Sequence, residues 1–185
     1  MIQLYQKITQ LTILEMFMKN PYERYYLRET SRMLDISPMT VKRALDLLVK
    51  ERLLIREEFK NQILYKGNME SSAFKHLKIA YNLAWLEEKG IVDYLKENLA
   101  GLSSLVLYGS FAKGENDEKS DIDLLVISVS PRKRDLRLQE LLKKETSLTI
   151  FKPSEWREQA KKNKAFYLDV ITEGIVLFGT RPVVE

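Results

Sequence analysis

Between residues 105 and 127 the chain reads LVLYGSFAKGENDEKSDIDLLVI. An apolar run leads into Gly109-Ser110, a polar stretch follows, and Asp121-Ile122-Asp123 opens a second apolar run. If that second run is a strand, residues two apart share a face, so Asp121 and Asp123 project together while Ile122 turns into the core. Two carboxylates held this close repel each other unless a divalent cation lies between them. Hard oxygen donors without cysteine or histidine suit Mg²⁺ or Mn²⁺. Gly109 lets the backbone approach a phosphate closely, and the Ser110 hydroxyl and adjacent amides are donors to it. The spacing predicts a phosphate-and-metal site where the two strands meet.

This stretch resembles the nucleotidyltransferase superfamily typified by DNA polymerase beta, in particular its minimal, single-domain members. Tyr108-Gly109-Ser110, Gly114 and Ser120-Asp121-Ile122-Asp123-Leu124 carry the resemblance, which extends over about residues 91 to 180. It implies a bound NTP, in-line attack of an acceptor hydroxyl on the α-phosphate, and departure of pyrophosphate. Gly109, Ser110, Gly114 and Ser120 would form the nucleotide-binding set, with Asp121 and Asp123 as metal-binding and catalytic carboxylates. Such domains also act as antitoxins that nucleotidylate a partner toxin. Active members carry a third carboxylate on a later strand. Here that strand, Ser147-Leu148-Thr149-Ile150-Phe151, holds no acid. Thr149 takes the expected place, with Glu145 and Glu155 as displaced candidates. Two readings stay open: a metal-dependent transferase, or a domain that senses nucleotide or mediates dimerisation without chemistry.

A second constellation lies upstream, in LRETSRMLDISPMTVKRALDLLVKERLLIREEFKNQILYKGN. A helix over 28–34, the turn Asp35-Ile36-Ser37, and a helix opened by Ser37-Pro38 precede a polar hairpin. The segment resembles a winged helix-turn-helix. Leu27, Met33, Leu34, Ile36, Val41, Leu45 and Leu48 fall where that family packs its helices. The resemblance implies DNA contacts from Arg28, Ser37, Met39, Thr40, Lys42 and Arg43, and from Lys60, Asn61 and Gln62 on the wing. Residues 1–70 hold 12 Lys+Arg and 9 Asp+Glu, so +3 of the +4 total sits here. Phosphate contacts supply most non-specific affinity, so a few cations on one face suffice. Glu57 and Glu58 would oppose phosphate if they faced it.

The elements that must position these groups follow from periodicity. Apolar residues at helical spacing predict one helix over 3–19, with Leu4, Ile8, Leu11, Leu14 and Met18 on its stripe and Asn20-Pro21 as its stop. A long helix over 71–88 carries Phe74, Leu77, Ala80, Tyr81 and Ala84 on one face. Beyond it come a helix over 91–99, strands over 104–108 and 122–128, a basic helix over 134–144, a strand over 148–151, a helix from Ser154 and a strand over 175–178. The expected architecture has two domains. A mainly-α winged helix-turn-helix (1–68) and a helical connector (69–90) precede an α/β (α+β) nucleotidyltransferase-like domain with a mixed sheet (91–185).

Composition bounds the rest. The chain has 185 residues, 45% hydrophobic and 30% charged, with no cysteine and a net charge of +4. That composition excludes global disorder, a disulfide framework, Cys-ligated zinc and a thiol nucleophile. No stretch reaches the ~20 apolar residues of a membrane span. The expectation is a cytoplasmic protein with no membrane partner, binding nucleotide and DNA, with a homodimer as the default for a reader of two half-sites.

Overall fold

The computed structural model describes residues 1–130 and 136–184, which divide into two compact units, Met1–Ala84 and Trp85–Glu185. The N-terminal unit opens with α1 (Ile2–Lys7) and α2 (Thr9–Lys19) rather than one continuous helix. Ile8 is extended, at φ −102° and ψ 111°, and the Thr12 hydroxyl donates to the Tyr5 carbonyl across the break. The break turns Ile2 and Tyr5 inward and leaves Leu4 and Ile8, expected on the buried stripe, exposed to solvent. Ile13, Leu14, Phe17 and Met18 form the buried face of α2.

Strand β1 (Tyr25–Tyr26) leads into α3 (Leu27–Leu34), whose first turn is tied by the Tyr26 N–H donating to the Glu29 carboxylate. Asp35, in the left-handed region at φ 53°, ends α3. Ser37 then caps α4 (Pro38–Lys50) by accepting from the Thr40 N–H, with proline at the first helical position. Val41, Ala44, Leu45 and Leu48 bury the inner face of α4. Met33, expected in this core, is 59% exposed instead, because α3 buries Thr30 and Ser31. Strands β2 (Leu54–Phe59) and β3 (Gln62–Gly67) pair antiparallel, with Phe59 opposite Gln62. Lys60 and Asn61 make the two-residue turn, both at positive φ, as the twist of a tight hairpin requires. The sheet order is β1-β3-β2.

Helix α5 (Ser72–Glu88) starts in this unit. Its inner stripe runs Phe74, Lys78, Tyr81, with Leu77 and Ala80 only partly buried. The Lys78 ammonium donates to the Met18 carbonyl in the last turn of α2, where helix carbonyls lack intrahelical partners. The Tyr81 hydroxyl donates to Glu15, and its ring packs edge-on against Tyr5.

In the second unit α6 (Ile91–Asn98) precedes β4 (Ala100–Tyr108), and the short helix α7 (Gly109–Lys113) follows where a loop was expected. Next come β5 (Ile122–Ser130), α8 (Leu138–Leu142), β6 (Thr146–Phe151), α9 (Pro153–Lys162), α10 (Lys164–Thr172) and β7 (Ile175–Gly179). The expected basic helix is confined to α8 among the described residues, and Pro131–Asp135, with its densest basic cluster, lies outside them. Asn163 breaks the C-terminal helical stretch in two and caps α10 through the Phe166 N–H.

The sheet is mixed, in the order β6-β5-β4-β7: β4 pairs antiparallel with β5 and β7, and β5 pairs parallel with β6. Both faces of the central strands are buried, so they read as unbroken apolar runs rather than alternations. One face packs Val106, Leu125 and Ile127 against Trp156 of α9 and Val170 of α10. That face carries the candidate site at its edge.

Candidate active site

Tyr108 is the direct partner of Asp123 across β4 and β5, and Asp123 is the direct partner of Ser147 across β5 and β6. Directly opposed residues share a face, so Tyr108, Asp123 and Ser147 form a row across three strands, with Thr149 two residues further along β6. Gly109 and Ser110 continue from Tyr108 at the end of β4, and Asp121 precedes β5. The fold therefore brings the Gly-Ser turn and both aspartates to one end of the sheet.

Gly109 sits at φ +68°, where an L side chain is strained. A Cβ there would also stand 2.3 Å from Asp123 Oδ2. The Asp123 carboxylate thus packs directly on the Gly109 backbone, and only glycine satisfies both conditions. Among the described residues nothing takes up the Ser110 hydroxyl. Gly114, in the left-handed region at φ +66°, ends α7, and the Glu115 N–H donates to the Ser110 carbonyl. Ser120 is engaged differently: its hydroxyl donates to Asp117 Oδ1 and accepts from the Asp117 N–H, both at 2.9 Å. That exchange holds Asp117 below the usual carboxylate range and closes the acidic loop before Asp121. Lys144 braces the same loop by donating to the Glu118 carbonyl at 2.5 Å.

Burial pushes the Asp123 carboxyl above its ordinary value, and the charges of Asp121 and then Asp169 push in the same direction. A carboxylate so placed gains from a cation. The donor set is two hard oxygen groups, and among the described residues no cluster of three or more His, Cys, Asp or Glu side chains is built to hold a metal. The residues fit one divalent ion whose remaining ligands come from phosphate and water.

At the place of the third acid stand Ser147 and Thr149, beside the Tyr108 phenol, which burial pushes above its ordinary value. Neither displaced candidate replaces it. The Glu155 carboxylate accepts from the Lys152 N–H at the start of α9, and Glu145 is exposed, its carbonyl accepting from the Ile122 N–H. Two further groups stand beside the site. Lys113 lies one helical turn from Ser110 on α7 and pairs with Asp169 of α10 at 2.6 Å. The hydrogen bond to Asp169 raises the Lys113 ammonium. Asp169 comes one turn after Phe166, whose ring meets Tyr108 edge-on at 5.5 Å. Sequence reasoning passed over both. Lys113 had a local signal in its three-residue spacing from Ser110, hidden by reading α7 as loop; Asp169 had none, because only the fold brings it here.

Residues 88–179 match the model of the nucleotidyltransferase domain. A Methanocaldococcus jannaschii protein named "Putative protein adenylyltransferase" is 34% identical over 98 residues, covering 50% of this chain and 98% of that protein. The chain belongs to the nucleotidyltransferase family. A toxin–antitoxin structure solved with AMP-PNP aligns at 25% identity and a TM-score of 0.41 over 51% of this chain and 74% of its own. A mutant of the MntA-HpeT toxin–antitoxin aligns at 23% identity and a TM-score of 0.39, over 51% and 73%. In this family member the matched segment begins at the last residue of α5 and ends with β7.

The other sequence-predicted residues are on the N-terminal unit. Arg28 is exposed on the first turn of α3, and Met39, Thr40, Lys42 and Arg43 are exposed on α4. Ser37 caps α4, and its hydroxyl lies 2.8 Å from that of Thr40. Lys60, Asn61 and Gln62 are exposed at the hairpin tip, where the Lys60 ammonium sits 5.2 Å from the centre of the Phe59 ring. Arg28 and Arg32 line one groove with Asn61 and Gln62, about 740 Å³ in volume. Glu57 is engaged by Arg24 at 2.8 Å and Lys66 at 2.5 Å, which holds its carboxyl below the ordinary range.

Proposed function

We propose that the second unit binds Mg²⁺– or Mn²⁺–NTP and transfers a nucleoside monophosphate to a hydroxyl acceptor, and that the first binds DNA. The observation that carries the transferase reading is the Asp123 carboxylate packed against the backbone of Gly109, with the charge of Asp121 acting on it. Gly109 and Ser110 hold the β- and γ-phosphates, Gly114 keeps α7 short enough to leave them open, and Ser120 orders the loop that delivers Asp121. Asp121 and Asp123 hold the divalent ion, which when bound supplies neutralisation of triphosphate charge. The chain's own part is positioning: a fixed turn, two fixed carboxylates and a face closed by α9 and α10. A protein hydroxyl as acceptor and ATP as donor are favoured by the name of the archaeal relative. A partner toxin is one such acceptor. The test is incubation with [α-³²P]ATP, Mg²⁺ and a lysate of the source cells. Label should enter a protein band with wild type and not with Asp121→Asn or Asp123→Asn; label that survives both changes refutes the reading.

The first unit we read as a winged helix-turn-helix over residues 1–68, with 69–90 as connector and 91–185 as the transferase domain. The exposed α4 residues enter the major groove, and the Lys60-Asn61-Gln62 tip meets the neighbouring backbone. Glu57, one of the two acids expected to oppose phosphate, is occupied by Arg24 and Lys66. Binding should weaken with salt and fall when Lys42 and Arg43 become alanine. A homodimer in the cytoplasm, reading two half-sites with no membrane partner, belongs to this reading. Among the described residues no helix is long and apolar enough to cross a membrane.

A second reading is favoured by one observation: Ser147 and Thr149 stand on β6 where an acid is expected. It makes the chain a transcription regulator whose transferase domain senses nucleotide or mediates dimerisation. Nucleotide that shifts DNA affinity without labelling any acceptor supports it.

A further inference from the structure

Three strands supply Tyr108, Asp123, Ser147 and Thr149 to one face of the sheet, and the helices packed on that face supply the remaining groups. Phe166 and Val170 of α10 fix the helix there, Phe166 against the Tyr108 ring and Val170 in the core with Val106 and Leu125. Asp169 lies between them in sequence, and its carboxylate pairs with Lys113, one turn after Ser110 on α7. The chain thus carries an acid beside its Gly-Ser turn, but on a covering helix rather than on the third strand. Its charge is felt at both Asp123 and Tyr108. Among the described residues it does not form a metal cluster with the two aspartates.

We propose that Asp169 is the base that takes the acceptor proton in nucleotidyl transfer, held in place by Lys113. The inference rests on the transferase reading. The acceptor O–H proton passes to an Asp169 carboxylate oxygen, the acceptor oxygen bonds to the α-phosphorus, and the bond from the α-phosphorus to the bridging oxygen breaks. The electron pair leaves on pyrophosphate. The Lys113–Asp169 pair suits this role because its partners are 34% and 35% exposed, so water screens it and an entering acceptor reaches Asp169. The ammonium at 2.6 Å fixes where that carboxylate stands.

The experiment measures Mg-ATP binding by calorimetry and, with water as acceptor, the steady-state formation of AMP and pyrophosphate. Asp169→Asn should bind Mg-ATP within threefold of wild type and keep its KM, while kcat falls by about 10²- to 10³-fold, the usual share of a general base. Asp169→Glu should recover at least tenfold of that loss, which a purely structural role would not produce. Three results overturn the inference and leave the nucleotide site standing. They are an Asp169→Asn variant that turns over like wild type, one that loses binding together with turnover, and a wild type that binds without turning over. Absence of Mg-ATP binding by wild type overturns the transferase reading as well. Should Asp169→Asn not fold, Asp169→Glu decides alone: a kcat shift of at least fivefold at unchanged affinity supports the assignment, and an unchanged kcat refutes it.

Discussion

At Gly109 two demands fall on one residue, a left-handed backbone and room for the Asp123 carboxylate. Gly109→Ala violates both, so it should cost about 1–2 kcal/mol of stability from the left-handed conformation alone. The displaced Asp123 should lower Mg-ATP affinity at least tenfold; thermal unfolding and calorimetry on the same variant check the two effects. Asp123 also makes a pH prediction whose sign is fixed by its raised carboxyl. The folded chain binds that proton more tightly than the unfolded chain, so metal-free stability falls as pH rises from the ordinary carboxylate range through the raised folded value. Asp123→Asn should flatten that part of the curve of melting temperature against pH, and at neutral pH should melt higher than metal-free wild type. A variant curve parallel to wild type refutes the assignment. The Gly-Ser and Asp-x-Asp residues were legible because their spacing is local. Asp169, nearly sixty positions after Ser110, became visible only with α10 in place.

Helix α4 has a buried face and an exposed one. Val41, Ala44, Leu45 and Leu48 are buried, while Met39, Thr40, Lys42 and Arg43 are exposed. Leu45→Ala should therefore cost 2–5 kcal/mol in denaturant unfolding, the usual range for a fully buried leucine. Lys42→Ala with Arg43→Ala should change stability by less than about 0.5 kcal/mol. The same pair should reduce the slope of log affinity against log salt by about 2 in fluorescence anisotropy with duplex DNA. An unchanged slope would remove α4 from the DNA reading. Element types followed from periodicity through most of the chain, and the hairpin turn fell where the polar stretch put it. The misses have physical causes. Ile8 is apolar and in phase, yet its extended backbone splits the first helix. Lys78, outside the expected stripe of α5, is buried, its ammonium donating to the Met18 carbonyl and its stem lining the core. The five residues of α7 are too few to show a helical period.

Across the whole molecule, the excess of positive charge sits in the first 70 residues, while the paired carboxylates and the family match sit in the second unit. The nucleotidyltransferase half of that division was legible in the sequence from the Gly-Ser and Asp-x-Asp motif. What the sequence left open was whether the site could be complete without an acid on the strand after Asp123. In the fold, β6 places hydroxyls there, and we propose that the Asp169 carboxylate of α10 serves instead. The central claim is that Asp121 and Asp123 form a working site with the Gly109-Ser110 turn. Calorimetric titration of ATP with Mg²⁺ into wild type and the Asp121→Asn/Asp123→Asn double variant tests it without knowledge of the acceptor. The account predicts saturable, Mg²⁺-dependent binding by wild type that the double variant loses. Equal binding by both, or none by wild type, would contradict it.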